Sequence, residues 1–159
     1  MNAVALRAER AIADYLSAAD WTSSGAGVPT CLTSYSRGAF NDPDEEDTMP
    51  DLPIVISATS ARPVQRTDLT CEVEISIEFQ FSADDTNEVD ILSSMVVLDS
   101  LLLPLFDQTG ASVLNADDQH ESGPFTAQFA MPNDFAGSSI SNRSRNFQRT
   151  LTLYCSATT

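Results

Sequence analysis

Four groups of residues in this 159-residue chain have the types and spacing to do chemistry. The one histidine stands in Asp117-Asp118-Gln119-His120-Glu121, and imidazole beside carboxylates suits several divalent ions. Asp42, Asp44 and Glu46 have the one-three-five offsets of a loop that wraps calcium. Arg143, Arg145 and Arg149 form the basic cluster, and a guanidinium is built for bidentate contact with carboxylate or phosphate. Glu72, Glu74 and Glu78 alternate with apolar residues through an eleven-residue stretch, which aims them all one way on a strand.

The first three groups weaken against their templates. No partner motif of ligand spacing accompanies His120, so an exposed polar loop is the reading favoured for 117–121. In the calcium-like segment Asp47 stands where such loops need glycine, and Pro53 stands where they need a bidentate glutamate. Asp44, Glu45, Glu46 and Asp47 then read as a solvated charge block, because packing like charges costs desolvation and repulsion. Gly-x-Ser-x-Gly, P-loop and dinucleotide fingerprints are absent from the sequence. Enzyme activity, a cofactor and a bound metal are therefore not expected. The arginine cluster is expected to pair with acids, either within the chain or from the 42–51 block of a neighbouring copy. Asn142-Arg143-Ser144 matches a glycosylation acceptor and reads as a chance occurrence.

The glutamates remain. Cys71, Val73, Ile75, Ile77, Phe79 and Phe81 face one way, and Glu72, Glu74, Ser76, Glu78 and Gln80 face the other. Glutamate is mildly depleted in strands, so three on one face ask what that face looks at. The whole chain is acidic: Asp and Glu number 23 against 8 basic residues, all arginine, for a formal net charge of −15. Such a surface repels phosphate backbones and anionic lipid, which excludes nucleic-acid capture and makes membrane binding an unexpected role.

The positioning elements follow from periodicity. Ala5, Ala8, Ile12, Leu16 and Ala19 form one stripe of an amphipathic helix over 3–19, with Arg7, Arg10 and Asp14 on its wet side and Trp21 as an anchor. Gly25, Gly27 and Pro29 mark a loop. Strands are expected at 52–61, 69–82, 125–131 and 147–157. Asp85 and Glu88 have the form of a capping box for a helix that runs to Leu103, before Pro104. That helix is apolar on most of its circumference, so it needs cover on more than one side, with the sheet as one cover and a neighbouring subunit as a candidate for another. Asp90, Asp99, three serines and Pro104 interrupt its apolar run, which makes it a core helix rather than a bilayer span. No basic-plus-apolar segment precedes the first helix, which leaves secretion by that route unsupported. Cys31, Cys71 and Cys155 form no CxxC pair and read as reduced thiols, with Cys71 and Cys155 in phase with the apolar sets of their strands. The expected fold is a single α+β domain over 1–159, a mostly antiparallel sheet packed by two helices, with an acidic loop insert at 41–51 and a polar loop at 133–144.

The N-terminal helix, the strand pair P-I-V-I-S-A-T-S-A and L-T-C-E-V-E-I-S-I-E-F-Q-F, the helix from Glu88 and the closing R-T-L-T-L-Y-C-S-A strand together resemble tail terminator (neck) proteins of long-tailed bacteriophages. The resemblance runs over most of the chain and rests on element order, size and texture. The acidic insert and the 133–144 loop depart from the family. It implies a structural virion protein that forms a hexameric ring, caps the tail tube and joins it to the head connector, with DNA passing through the lumen. It also implies a place in the virion neck after assembly in the host cytoplasm. Glu72, Glu74 and Glu78 would then face the lumen or solvent, and Asp44, Glu45, Glu46, Asp47, Arg143, Arg145 and Arg149 would be subunit or partner contacts. Another head-completion adaptor or a tail-tube subunit fits the same class. A metal-dependent hydrolase using 117–121 and an acidic binding module are the readings from other classes.

Overall fold

The alternating stretch forms the central strand of the fold. The computed structural model describes residues 3–34, 52–64, 70–81, 88–117, 123–134 and 145–157. Within them lie helix α1 (Ala3–Ser17), strands β1 (Thr30–Leu32), β2 (Pro53–Pro63) and β3 (Thr70–Phe81), helix α2 (Glu88–Leu102), and strands β4 (Phe125–Asp134) and β5 (Arg145–Ala157). The sheet order is β1-β2-β3-β5-β4. β1 runs parallel to β2 and every other neighbour is antiparallel, so the fold is α+β with a mostly antiparallel sheet.

Both helices cover the face that β3 makes apolar. Val73, Ile75, Ile77 and Phe79 are fully buried there, with Leu151 and Leu153 of β5 and Ile54 and Ile56 of β2 in the same layer. Each such side chain contributes about 1.5–3 kcal/mol by leaving water. From α1, Ala5, Ala8, Ile12 and Leu16 press into the layer as the stripe requires, and Trp21 closes the end of α1 by donating its indole N–H to the Leu16 carbonyl at 2.9 Å. Trp21 meets Phe79 edge-on at 6.0 Å, and Phe79 stacks on Phe81 at 4.5 Å.

Three local features differ from the sequence expectations. β1 is a three-residue strand that no periodicity could mark. β4 continues through Pro132 to Asp134, because β4 is an edge strand where a missing N–H is tolerated, and its register shifts between Pro132 and Asp134. The segment after α2, to which the sequence reading assigned no element, contains two 3-10 turns, Leu103–Phe106 and Gly110–Leu114. Pro104 sits in the first turn of Leu103–Phe106, where its lack of an N–H does no harm. Gly110 lies against the Pro104 carbonyl so closely that a Cβ would collide with it, so only glycine lets the two turns pack.

Of the two pairings expected for Arg149, the structure shows the one within the chain, so Arg149 leaves the set of candidate subunit contacts. Arg149 lies in phase with Leu151 and Leu153 on the helix-covered face and is 4% exposed. Its Nε donates to Asp99 Oδ1 of α2 at 2.8 Å and its Nη2 to Asp99 Oδ2 at 3.1 Å. Nη1 donates to the Gln148 carbonyl at 3.1 Å, and the guanidinium lies 5.4 Å from the Phe147 ring centroid. A charge this deep must be paired, and α2 supplies the pair across the sheet. The loop after α1 holds the other end of α2. Ser24 Oγ and Ser94 Oγ are 2.8 Å apart, and the Gly25 N–H donates to Ser93 Oγ at 2.8 Å.

Asp99→Ala is expected to destabilise the fold by about 2–3 kcal/mol, below the full cost of an orphaned buried charge because the Asp99 side chain is 30% exposed. Asp99→Asn, which keeps an acceptor, should lose less. Urea unfolding measures both, and a loss under about 0.5 kcal/mol for the alanine variant would place the pair among inconsequential surface bridges.

Candidate functional site

The sheet face opposite the helices is where the sequence aims its glutamates. Antiparallel register puts Glu72 beside Arg62 and Tyr154, Glu74 beside Ser60 and Thr152, and Glu78 beside Val55 and Gln148. Glu72 and Glu74 are two positions apart on one strand, roughly 7 Å, inside a Debye length of about 8 Å at physiological salt. Their negative potentials therefore add. Around them the row neighbours are two hydroxyls, one amide, a tyrosine and Val55, with Arg62 as the cation.

This face is less wet than plain alternation implies. Glu74 is exposed, Glu72, Glu78 and Gln80 are half-buried, and Ser76 is buried. The polar side chains cover one another. Arg62 Nη2 donates to Glu72 Oε1 at 3.0 Å, Gln80 Nε2 donates to Glu78 Oε1 at 2.9 Å, and Gln148 Nε2 donates to Ser76 Oγ at 2.5 Å. Thr59 Oγ1 reaches Glu74 Oε1 at 3.4 Å from the irregular point of β2, where the register shifts between Ala58 and Ser60. At the β4 side the same face turns apolar. Phe129 stacks on Tyr154 at 4.1 Å, and Phe129 and Met131 are 41% and 50% exposed.

A second surface is formed by α2. Its buried side carries Ile91, Ser94, Val97, Leu98 and Leu102, while Val89, Leu92, Val96 and Leu103 are 74%, 49%, 68% and 54% exposed. The Glu88–Phe106 segment is long and apolar enough to cross a membrane by length and composition, with mean hydropathy 1.9, and a soluble core helix passes the same test. A third of it is buried and another third half-buried, so among the described residues several apolar side chains of this segment stay exposed.

A groove of about 610 Å³ lies between α1 and the second 3-10 turn, where Arg7, Arg10 and Tyr15 face Leu101, Val113 and Asp117. Arg7 Nη2 donates to the Gly123 carbonyl, and its guanidinium is 5.9 Å from the Phe125 ring centroid. Burial lowers the Arg7 pKa. Arg10 Nε lies 3.2 Å from Asp14 Oδ1, one turn along α1. The Tyr15 hydroxyl donates to the Leu101 carbonyl at 2.6 Å, and burial raises its pKa.

Among the described residues no group of three or more His, Cys, Asp or Glu side chains is placed to hold a metal ion. Asp117 is exposed, and Asp118, His120 and Glu121 lie outside the described residues, as do Asp44, Glu45, Glu46, Asp47 and Arg143. Arg145 opens β5, opposite Phe81. Two charged residues to which the sequence reading gave no partner are engaged at the core. Asp99 is the partner of Arg149, and Glu9 is fully buried on α1, where its Oε1 accepts the Ser34 N–H at 3.0 Å and the Ser34 hydroxyl at 2.6 Å. The signal for Asp99 was a charge inside an apolar helix together with an arginine in the apolar phase of β5.

A scan against family models finds no match to this chain, and a search of curated proteins finds none either.

Cys71 and Cys155 face each other across β3 and β5 as buried free thiols. Burial, with the neighbouring Cys71 sulfur, pushes the Cys155 thiol up from 9.0 to about 12. An acid held neutral by the fold contributes stability below its unfolded pKa and loses it as pH rises to the folded value. Stability should therefore fall between pH 9 and 12, by up to about 4 kcal/mol from this thiol, with Tyr15 acting in the same direction above pH 10. Unfolding midpoints across that range check it, and Cys155→Ala should flatten the slope. An unchanged slope in that variant would contradict the assignment.

Proposed function

We propose that this chain is a structural subunit that assembles with copies of itself into a ring, in the manner of the phage tail terminator proteins it resembles. The observation that carries the reading is α2, rich in apolar residues yet with Val89, Leu92 and Val96 exposed among the described residues. A subunit that completes its core only on assembly leaves such a helix uncovered, and homodimer-like interfaces are the apolar ones. The net charge of −15 opposes non-specific clumping and leaves assembly to defined patches.

The acidic sheet face supports the rest. A ring through which DNA slides must not hold phosphate, and Glu72, Glu74 and Glu78 supply fixed negative charge on the side of the sheet away from the helices. In this reading the ring sits at the virion neck, between the tail tube and the head connector, after assembly in the host cytoplasm. The chain does no bond chemistry there.

Light scattering on the purified chain tests the reading, with a mass near 103 kDa expected for six copies of 17.2 kDa. A monomer that persists at high concentration and ignores tail tubes would sink it. The triple variant Glu72→Gln, Glu74→Gln, Glu78→Gln should keep the ring mass and raise retention on duplex DNA several-fold at low salt, an effect that fades as salt rises. Unchanged retention would remove this face from the lumen.

A further inference from the structure

β3 and β5 set two cysteines side by side. Cys71 is the partner of Cys155, and the ladder keeps one register from Thr70 to Phe81, so no bulge separates them. The neighbouring strand shows how the pair is oriented. Ala127 of β4 lies opposite Cys155, yet its N–H donates away from β5, to Asn115 Oδ1 at 2.7 Å. In an antiparallel ladder that makes Ala127 and Cys155 a pair without mutual hydrogen bonds, so Cys155 turns its own N–H and C=O toward Cys71. A hydrogen-bonded pair of this kind holds its Cα atoms about 5.5 Å apart, within the span that a disulfide bridges. Its Cβ atoms stand about 5 Å apart, roughly 1 Å wider than a relaxed disulfide. A bond here closes by side-chain rotation and a small approach of the strands, and the strain makes it readily reducible.

Position in the fold delays access without abolishing it. Cys71 is 4% exposed and Cys155 is 0% exposed. Burial pushes the Cys155 thiol up to about 12, so at neutral pH it is a poor nucleophile while the sheet is closed. Yet Cys71 is the second residue of β3 and Cys155 the third from the end of β5, so both sit at the same end of the sheet. Strand ends open locally at a much lower cost than the whole fold, and one fraying event there uncovers both sulfurs. Cys31 cannot substitute for either. It pairs with Ile54, whose partner on β3 is Phe79, near the far end of that strand from Cys71.

We propose that Cys71 and Cys155 are a latent cross-strand disulfide, kept as thiols in a reducing cytoplasm and closed by a small-molecule disulfide in an oxidising medium. The step is thiol–disulfide exchange. The Cys71 thiolate attacks one sulfur of the small disulfide, whose S–S bond breaks, and one small thiol leaves with the proton that Cys71 gave up. Cys155, deprotonated in turn, attacks the Cys71 sulfur of the mixed disulfide and releases the second small thiol. Two protein thiols are oxidised to one disulfide, and one small disulfide is reduced to two thiols. The bond ties the C-terminal strand to the central strand across a long loop, which restricts the unfolded chain. Its timing rests on the virion reading: the lock sets after release from the host, when a virion meets oxidising surroundings.

Oxidised glutathione on the intact, folded chain is the probe, read by alkylation in denaturant, intact mass and unfolding midpoints. Alkylatable thiols should fall from three to one, with the mass lower by about 2 Da and the Cys71 and Cys155 peptides joined. The unfolding midpoint should rise by about 5 °C or more and return on addition of dithiothreitol. Cys31→Ala should keep this response and Cys155→Ala should abolish it. Three alkylatable thiols after prolonged oxidation would overturn the proposal, as would glutathione held on Cys31 alone or a bond that forms only in denaturant. Light scattering on the same samples separates the two readings. A persistent monomer that forms the bond removes the ring and keeps the disulfide, and a ring whose thiols stay reduced removes the disulfide alone.

Discussion

The Arg149–Asp99 pair fixes how this molecule presents itself. A guanidinium on the covered face of β5 has no stable environment without a carboxylate, and the carboxylate comes from the last turn of α2. The pair therefore sets the rotation of α2 about its own axis. Asp99 sits at the edge of the buried side, one heptad from Leu92, with Ile91, Leu98 and Leu102 in the core beside it and Val89, Leu92 and Val96 exposed. The serine contacts from the loop after α1 hold the same rotation at the other end. An apolar helix that could otherwise settle on any of its sides is thus locked with one side out.

How much of this the sequence shows depends on whether an element carries a periodic signal. β3 is legible almost residue by residue, because strict alternation over eleven positions has only one backbone solution. The stripe of α1 and the end of α2 at Pro104 are equally plain. β1 is not, since three residues cannot show a period and its pairing with β2 is decided by tertiary contact. The 3-10 turns after α2 depend on the close approach of Gly110 to Pro104, which no local pattern announces. The extension of β4 past Pro132 follows from its edge position, a property of topology.

The candidate surfaces divide in the same way. That Glu72, Glu74 and Glu78 share a face is a matter of phase, and the sheet keeps that phase. How far each is shielded is set by partners such as Arg62 on Glu72 and Gln80 on Glu78, contacts that only the folded sheet fixes. Arg149 is the instructive case. Its clustering with Arg143 and Arg145 pointed to a surface, while its phase with Leu151 and Leu153 pointed to the core. Phase decides, because a strand cannot turn one side chain over without a bulge, and β5 pairs with β3 without one.

The central claim is that α2 is covered only when copies meet. Hydrogen–deuterium exchange on the intact chain at low and high protein concentration tests it most directly, because docking adds its free energy to the opening of the helix it covers. Slower exchange across 88–103 at high concentration, with β2 and β3 unchanged, is the expected result. Exchange across α2 that stays the same while light scattering records assembly would contradict the claim.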